Sequence, residues 1–224
     1  MSTTTRRFVL VPGAGGVGWY WSRVAAALTE AGHIAIPIDL PGDDTAAGLA
    51  EYRDLVLAQA TDGDVIVAQS MGAFTAASVC EQLDVAELVL VNAMIPVPGE
   101  TAGQWWGDVG SIDARIAAAD AGGYSREFDP EIYFLHDVPP EIAREGEPFQ
   151  RPEADRAFGD PCLFTGWPAR TRVLAGAGDR FFPLALQQRL ARERIGVEPD
   201  VVPGGHLVAL SNPRAVVDYL LSGD

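Results

Sequence analysis

A doubly wound α/β fold, with a mostly parallel sheet of about six strands, is predicted by three features of the sequence. Short apolar runs recur along the chain, helix-favouring stretches separate most of them, and glycine-rich turns stand where one gives way to the other. The runs are nearly continuous in apolar residues, as strands covered by helices on both faces require. Their alternation with helices predicts the parallel sheet.

The elements follow in order. Arg7–Pro12 is the first strand-like run, and a glycine loop leads from it into a helical stretch over Trp19–Ala31. The turn at Ala31 and Gly32 opens the second run, Ile34–Asp39, which is followed by a helical stretch over Thr45–Gln59. The third run, Val65–Gln69, passes through Ser70 into an alanine-rich helix over Gly72–Leu83, and Leu88–Asn92 is the fourth. Arg172–Ala175 and Pro199–Val202 complete the set, with helices over Leu184–Ile195 and Pro213–Leu221. Between about Pro96 and Trp167 the alternation stops. Prolines punctuate this stretch, and it carries Trp105, Trp106, Tyr133 and Phe134 among other aromatics. Aromatics at that density call for burial rather than disorder. The expectation is a helical cap inserted at about 96–167 into a single domain spanning 1–224.

At 224 residues the chain can bury one substantial core. Acidic residues outnumber basic ones 31 to 16, a formal charge of −15. That repels nucleic acid and anionic membrane surfaces, so neither is expected as a partner. Cys80 and Cys162 form no metal-type spacing and no disulfide framework. Only five apolar residues, Phe8 to Pro12, follow the N-terminal polar stretch, and no apolar run is long enough to span a bilayer. A cytoplasmic protein is expected. Oligomeric state is not set by these features.

The chemistry concentrates at three strand ends. Ser70 lies in the turn between the third strand and its helix, with Gly72 two residues on. Such a turn strains the serine backbone and lifts Oγ above the sheet edge, beside free N–H groups of the helix start. Asp179 ends Arg172-Val-Leu-Ala-Gly-Ala-Gly-Asp179, and His206 follows the late strand through Gly204 and Gly205. A serine nucleophile, a histidine base and an orienting acid are the parts of acyl-transfer chemistry. Of the other two histidines, His33 opens a strand and His136 sits in the irregular middle of the chain, so His206 is the expected base.

One pattern points elsewhere. Gly13-Ala-Gly15-Gly-Val-Gly18 reads G-x-G-x-x-G between a strand and a helix, and Asp39 stands 21 residues after Gly18. Alone, this supports a dinucleotide site and an NAD-dependent oxidoreductase. Against it, Trp19-Tyr-Trp21 follows at once, Asp39 belongs to the turn Asp39-Leu-Pro-Gly42, and a dinucleotide enzyme leaves Ser70, Asp179 and His206 without a use. The same glycines bring backbone N–H groups close to a small oxyanion.

With these residues in hand, the chain resembles the α/β-hydrolase superfamily over nearly its whole length. The order Ser70, Asp179, His206 is that of its triads. Val9-Leu-Val-Pro-Gly13-Ala14 with Gly18-Trp-Tyr-Trp21, Ile36-Pro-Ile-Asp39-Leu-Pro-Gly42 and Phe134-Leu-His-Asp-Val-Pro139 resemble motifs of one branch. That branch holds plant methylesterases, hydroxynitrile lyases and small bacterial esterases. Two positions depart from it: Pro12 stands where a histidine is usual, and Ala68 where the elbow's first glycine is usual. Pro12 removes a backbone donor and a side-chain hydrogen bond from the oxyanion loop.

The resemblance implies a serine hydrolase acting on a small to medium apolar carboxylic ester through an acyl-enzyme, without metal or organic cofactor. Ser70 attacks, His206 moves the proton and Asp179 orients it. The N–H groups of Ala14 and Met71 form the oxyanion hole, and Met71's side chain is free to line the pocket. Trp105, Trp106 and Phe182 are expected as further lining. A thioesterase or lactonase shares this chemistry, and a non-catalytic binding protein shares the fold. A cyanohydrin lyase of this branch carries a lysine after the histidine and a threonine at Gly13; this chain has Leu207 and Gly13 there.

Overall fold

The computed structural model describes residues 4–223. Residues 1–3, in the N-terminal polar stretch, and residue 224 lie outside it. Six strands form one sheet: β1 (Arg7–Val11), β2 (Ile34–Pro37), β3 (Val65–Gln69), β4 (Glu87–Val91), β5 (Thr171–Gly176) and β6 (Asp200–Val202), in the order β2-β1-β3-β4-β5-β6. All five pairings are parallel, with Ala68 of β3 registered between Val11 and Leu90. The sheet matches the sequence reading, with boundaries shifted by one or two residues.

The period of two divides the core. Val9, Val11, Ile66, Ala68, Leu88, Leu90 and Val173 face one layer; Phe8, Leu10, Val65, Val67, Val89, Val91 and Leu174 face the other. The first layer is covered by α2 (Leu49–Leu57), α3 (Gly72–Cys80) and α9 (Leu184–Arg194). The second is covered by α1 (Ser22–Glu30), α10 (Val208–Ser211) and α11 (Pro213–Leu221). Residues Gly72 to Val79 of α3 are all buried, and alanines at 73, 76 and 77 let it sit close to the sheet. Between β4 and β5 run five short helices: α4 (Ala102–Asp108), α5 (Ser111–Gly122), α6 (Pro130–Tyr133), α7 (Pro140–Gly146) and α8 (Asp155–Gly159).

Three local differences from the sequence reading have physical causes. The stretch from Trp19 begins as a 3₁₀ turn, Gly18–Trp21, before α1. Helix α2 starts at Leu49 rather than Thr45, because Gly48 caps it: the Glu51 side chain accepts from the Gly48 N–H at 2.9 Å. Helix α10, directly after His206, carries no signal of its own, since four residues are too few to show a helical period. Among the described residues no helix is long and apolar enough to cross a membrane.

Candidate active site

Parallel strands bring their C-terminal ends to one edge, and β3, β5 and β6 each deliver one residue there. Ser70 follows β3 directly and has φ +50°, an αL value that costs a non-glycine residue energy. Close packing holds the turn. A Cβ on Gly72 would lie 2.4 Å from the Pro12 carbonyl oxygen, and one on Gly13 would lie 2.5 Å from Gln69 Oε1. Ala68, fully buried in β3, is accommodated at the elbow without a glycine.

His206 Nε2 stands 3.2 Å from Ser70 Oγ, and its Nδ1 stands 2.8 Å from Asp179 Oδ2. The carboxylate assigns the tautomer: Nδ1–H donates to Asp179, which leaves Nε2 as the acceptor for the serine hydroxyl. Asp179 is itself fixed, because Oδ1 accepts from the N–H groups of Phe181 and Phe182 at 2.8 and 2.9 Å. All three residues are buried. Phe134 stacks on the imidazole, with ring centroids 5.2 Å apart and planes 23° apart, while Phe181 and Phe182 meet it edge-on. Rings on these sides exclude water, which strengthens charge–charge and hydrogen-bond interactions inside the site.

The Met71 N–H at the start of α3 and the Ala14 N–H in the glycine loop have no acceptor among the described residues. Gly13 to Gly16 form a β-turn closed by Gly16 N–H to Gly13 O at 3.0 Å, with Gly15 at φ +84°. The Met71 side chain packs in the core rather than on a pocket wall.

A cavity of about 610 Å³ adjoins the strand ends. Its walls include Gly13, Ala14, Trp19, Gln69, Phe134, Leu135, Ile142, Leu207 and Leu210. Trp105, Trp106 and Phe182 are not among its walls. Trp105 and Phe182 are fully buried, and Trp105 Nε1 donates to Ile95 O at 3.0 Å. With Trp106, which is half-buried, they form a ring cluster that reaches His206 through Phe182.

Sequence reasoning missed three residues. Asn92 follows β4 at φ +45°; its Nδ2 donates to Gly205 O and His206 O, and its Oδ1 accepts from Gly176 N–H. Asp137 Oδ2 accepts from Gly205 N–H at 2.5 Å. Gln69 Nε2 reaches His206 Nε2 at 3.2 Å and His206 O at 3.3 Å. The only prior signal was a resemblance motif around Asp137. His33 is structural, its Nδ1 accepting from the Arg6 N–H, and no group of His, Cys, Asp or Glu among the described residues is arranged to hold a metal.

A family model described as "Alpha/beta hydrolase family" matches residues 8–219. "Probable esterase PIR7A" from rice, Oryza sativa subsp. indica, is 34% identical over 112 residues, 44% of this chain and 43% of that protein. "Esterase PIR7B" from Oryza sativa subsp. japonica is 33% identical over 117 residues, 46% and 44% of the two chains. Each match therefore spans less than half the length of the rice protein. Among solved structures, polyneuridine aldehyde esterase superposes with a TM-score of 0.77 at 16% identity, covering 98% of this chain and 99% of that one. The methylesterase MES16 from Arabidopsis superposes with a TM-score of 0.75 at 20% identity, covering 97% and 98%.

Proposed function

The chain belongs to the alpha/beta hydrolase family, and we propose on that premise that it is a serine esterase cleaving small to medium apolar carboxylic esters. The observation that carries this reading is the continuous relay Ser70–His206–Asp179, at 3.2 and 2.8 Å, on a strained elbow. Ser70 Oγ attacks the ester carbonyl as His206 Nε2 takes its proton. The tetrahedral intermediate places its negative oxygen against the N–H groups of Ala14 and Met71. His206 then gives its proton to the leaving alkoxide oxygen, and the alcohol departs from an acyl-Ser70. Water, deprotonated by His206, releases the acid by the same steps. The Phe134 ring lies face-on to the imidazole and screens it from water.

The helical segment between β4 and β5 acts as a cap, and the cavity between it and the glycine loop receives the apolar part of the ester. The wall supports this class of substrate: Trp19, Phe134, Ile142, Leu207 and Leu210 are apolar, and its two charged side chains are engaged, Arg151 by Asp39 and Glu153 by the Gly15 N–H and the Tyr52 hydroxyl. The residue after the base, Leu207, is apolar and lines that cavity, so a departing cyanide would meet no cation at the position next to the base.

The test is a panel of p-nitrophenyl esters of rising chain length on the wild-type protein and Ser70→Ala. The variant is expected to lose about 10⁴-fold or more in kcat, because triad members act as a unit. A serine-directed phosphonate should label Ser70 stoichiometrically. Full activity in Ser70→Ala, or labelling confined to another residue, would remove the mechanism.

A further inference from the structure

The glycine loop is held by side chains from a distant segment. Pro12 has no backbone N–H and no polar side chain, so the loop gains no tie from the residue that precedes it. Residues 151–153, just before α8, supply ties from outside. Glu153 Oε2 accepts from the Gly15 N–H at 2.6 Å, and Oε1 accepts from the Tyr52 hydroxyl at 2.6 Å. Arg151 Nε donates to Gly15 O at 2.6 Å and Nη2 to Gly16 O at 2.9 Å. Arg151 also pairs with Asp39 at 3.0 Å, and Asp39 accepts from the Gly18 N–H at 2.8 Å. The fit is close: a Cβ on Gly15 would lie 2.6 Å from the Arg151 carbonyl oxygen.

These ties grip one peptide unit in particular. The Ala14–Gly15 peptide is the central one of the Gly13–Gly16 turn, and turn types differ by a flip of that peptide. Its N–H is the group Glu153 holds. Arg151 holds the next carbonyl, so the peptides on both sides of Gly15 are fixed. A flip would turn over the Ala14 carbonyl and the Gly15 N–H, and the peptide that carries the Ala14 N–H is the adjacent one, joined to it at the Ala14 Cα. Tyr52 is buried and keeps the carboxylate from swinging away.

We infer that Glu153 and Arg151 are positioning residues for the oxyanion hole: they lock the Gly13–Gly16 turn so that the Ala14 N–H faces the forming oxyanion. The oxyanion site is therefore complete only when segment 151–153 is docked on the loop. This rests on the esterase reading. The lock acts on the transition state, because the donor it aims meets full charge only in the tetrahedral intermediate.

The experiment compares Glu153→Gln, Glu153→Leu and Tyr52→Phe with wild type, using p-nitrophenyl butyrate and an aryl trifluoromethyl ketone whose serine adduct carries the oxyanion. Glu153→Gln keeps one acceptor oxygen and turns an amide donor toward the other partner. It is expected to lower kcat about 10- to 100-fold, less than the about 10²–10³-fold of deleting an oxyanion donor outright. Glu153 also lines the cavity, so the reading rests on kcat and not on KM. Ketone affinity should fall in parallel with kcat. Glu153→Leu should be worse than Glu153→Gln, and Tyr52→Phe milder. If Glu153→Leu does not fold, the other two variants carry the test. A folded Glu153→Gln with wild-type kcat overturns the inference, as does a loss confined to KM with ketone affinity unchanged. A wild-type protein that hydrolyses no ester and is not labelled at Ser70 overturns the esterase reading itself, and the inference falls with it.

Discussion

Asp179 has both carboxylate oxygens engaged by donors: two backbone N–H groups on Oδ1, and His206 Nδ1 with Gln187 Nε2 on Oδ2. Asp179→Asn keeps the volume and places an amide N–H₂ where only acceptors fit. The amide turns its donor toward the histidine and stabilises the wrong tautomer. The expected outcome is a folded variant slower by up to about 10⁴-fold in single-turnover ester cleavage. A rate near wild type would place the orienting carboxylate elsewhere. At this scale Ser70, Asp179 and His206 were legible because each stands at the end of a strand-and-loop signal. Asn92, Asp137 and Gln69 were not. Their partners are backbone and ring atoms of the base loop more than 60 positions away, and no local pattern records such a pairing.

The loop from Gly13 to Gly18 shows how one motif serves two readings. In a dinucleotide site its glycines clear space for pyrophosphate. Here the space is filled by the protein: Gly13 faces Gln69, Gly15 faces Arg151, Gly16 faces Leu40 and Gly18 faces Ile38, each closer than 3.0 Å to an added Cβ. Asp39, the acid a ribose would need, is engaged by the Gly18 N–H and Arg151. Calorimetric titration with NAD(H) and NADP(H) should therefore show no binding, and a micromolar dissociation constant would return the oxidoreductase reading. The element itself was readable as a strand, loop and helix. Its use beside an oxyanion was read from the residues at the later strand ends; what fills it was not, because those atoms come from the end of β3, from β2's exit and from residues 151–153.

For the molecule as a whole, the contact between the helical segment and the base loop is expected to respond to pH. His136 and Asp137 lie on the helical segment and touch the loops that carry Asp179 and His206: Asp137 holds Gly205 N–H, and His136 approaches Gly178. Burial holds His136 below its ordinary value of 6.5, outweighing the attraction of Asp137. Asp179 favours the charged ring and Arg180 opposes it. The unfolded chain thus takes up a proton near pH 6.5 that the folded chain refuses. Stability is present above that pH and lost as pH falls through the lowered folded value. Urea unfolding should show the loss below pH 6.5, and His136→Gln should flatten it; an unchanged acid limb in the variant would clear His136 of the role.

The sequence by itself determined the layered α/β architecture and the order of the sheet-edge residues. Both follow from local period and from turns that few residues can make: apolar runs, tight glycines, and a serine, an aspartate and a histidine each just past a strand. Only the tertiary structure decided which aromatics line the cavity and which pack behind His206. Trp105 and Phe182 have the same composition signal as Phe134, and only packing separates a buried ring from a wall. It also decided how the glycine loop is held. The hydrogen bonds from Glu153 and Arg151 cross more than 130 residues of chain, and pairings at that separation exist only once the sheet and the helical segment have closed on each other.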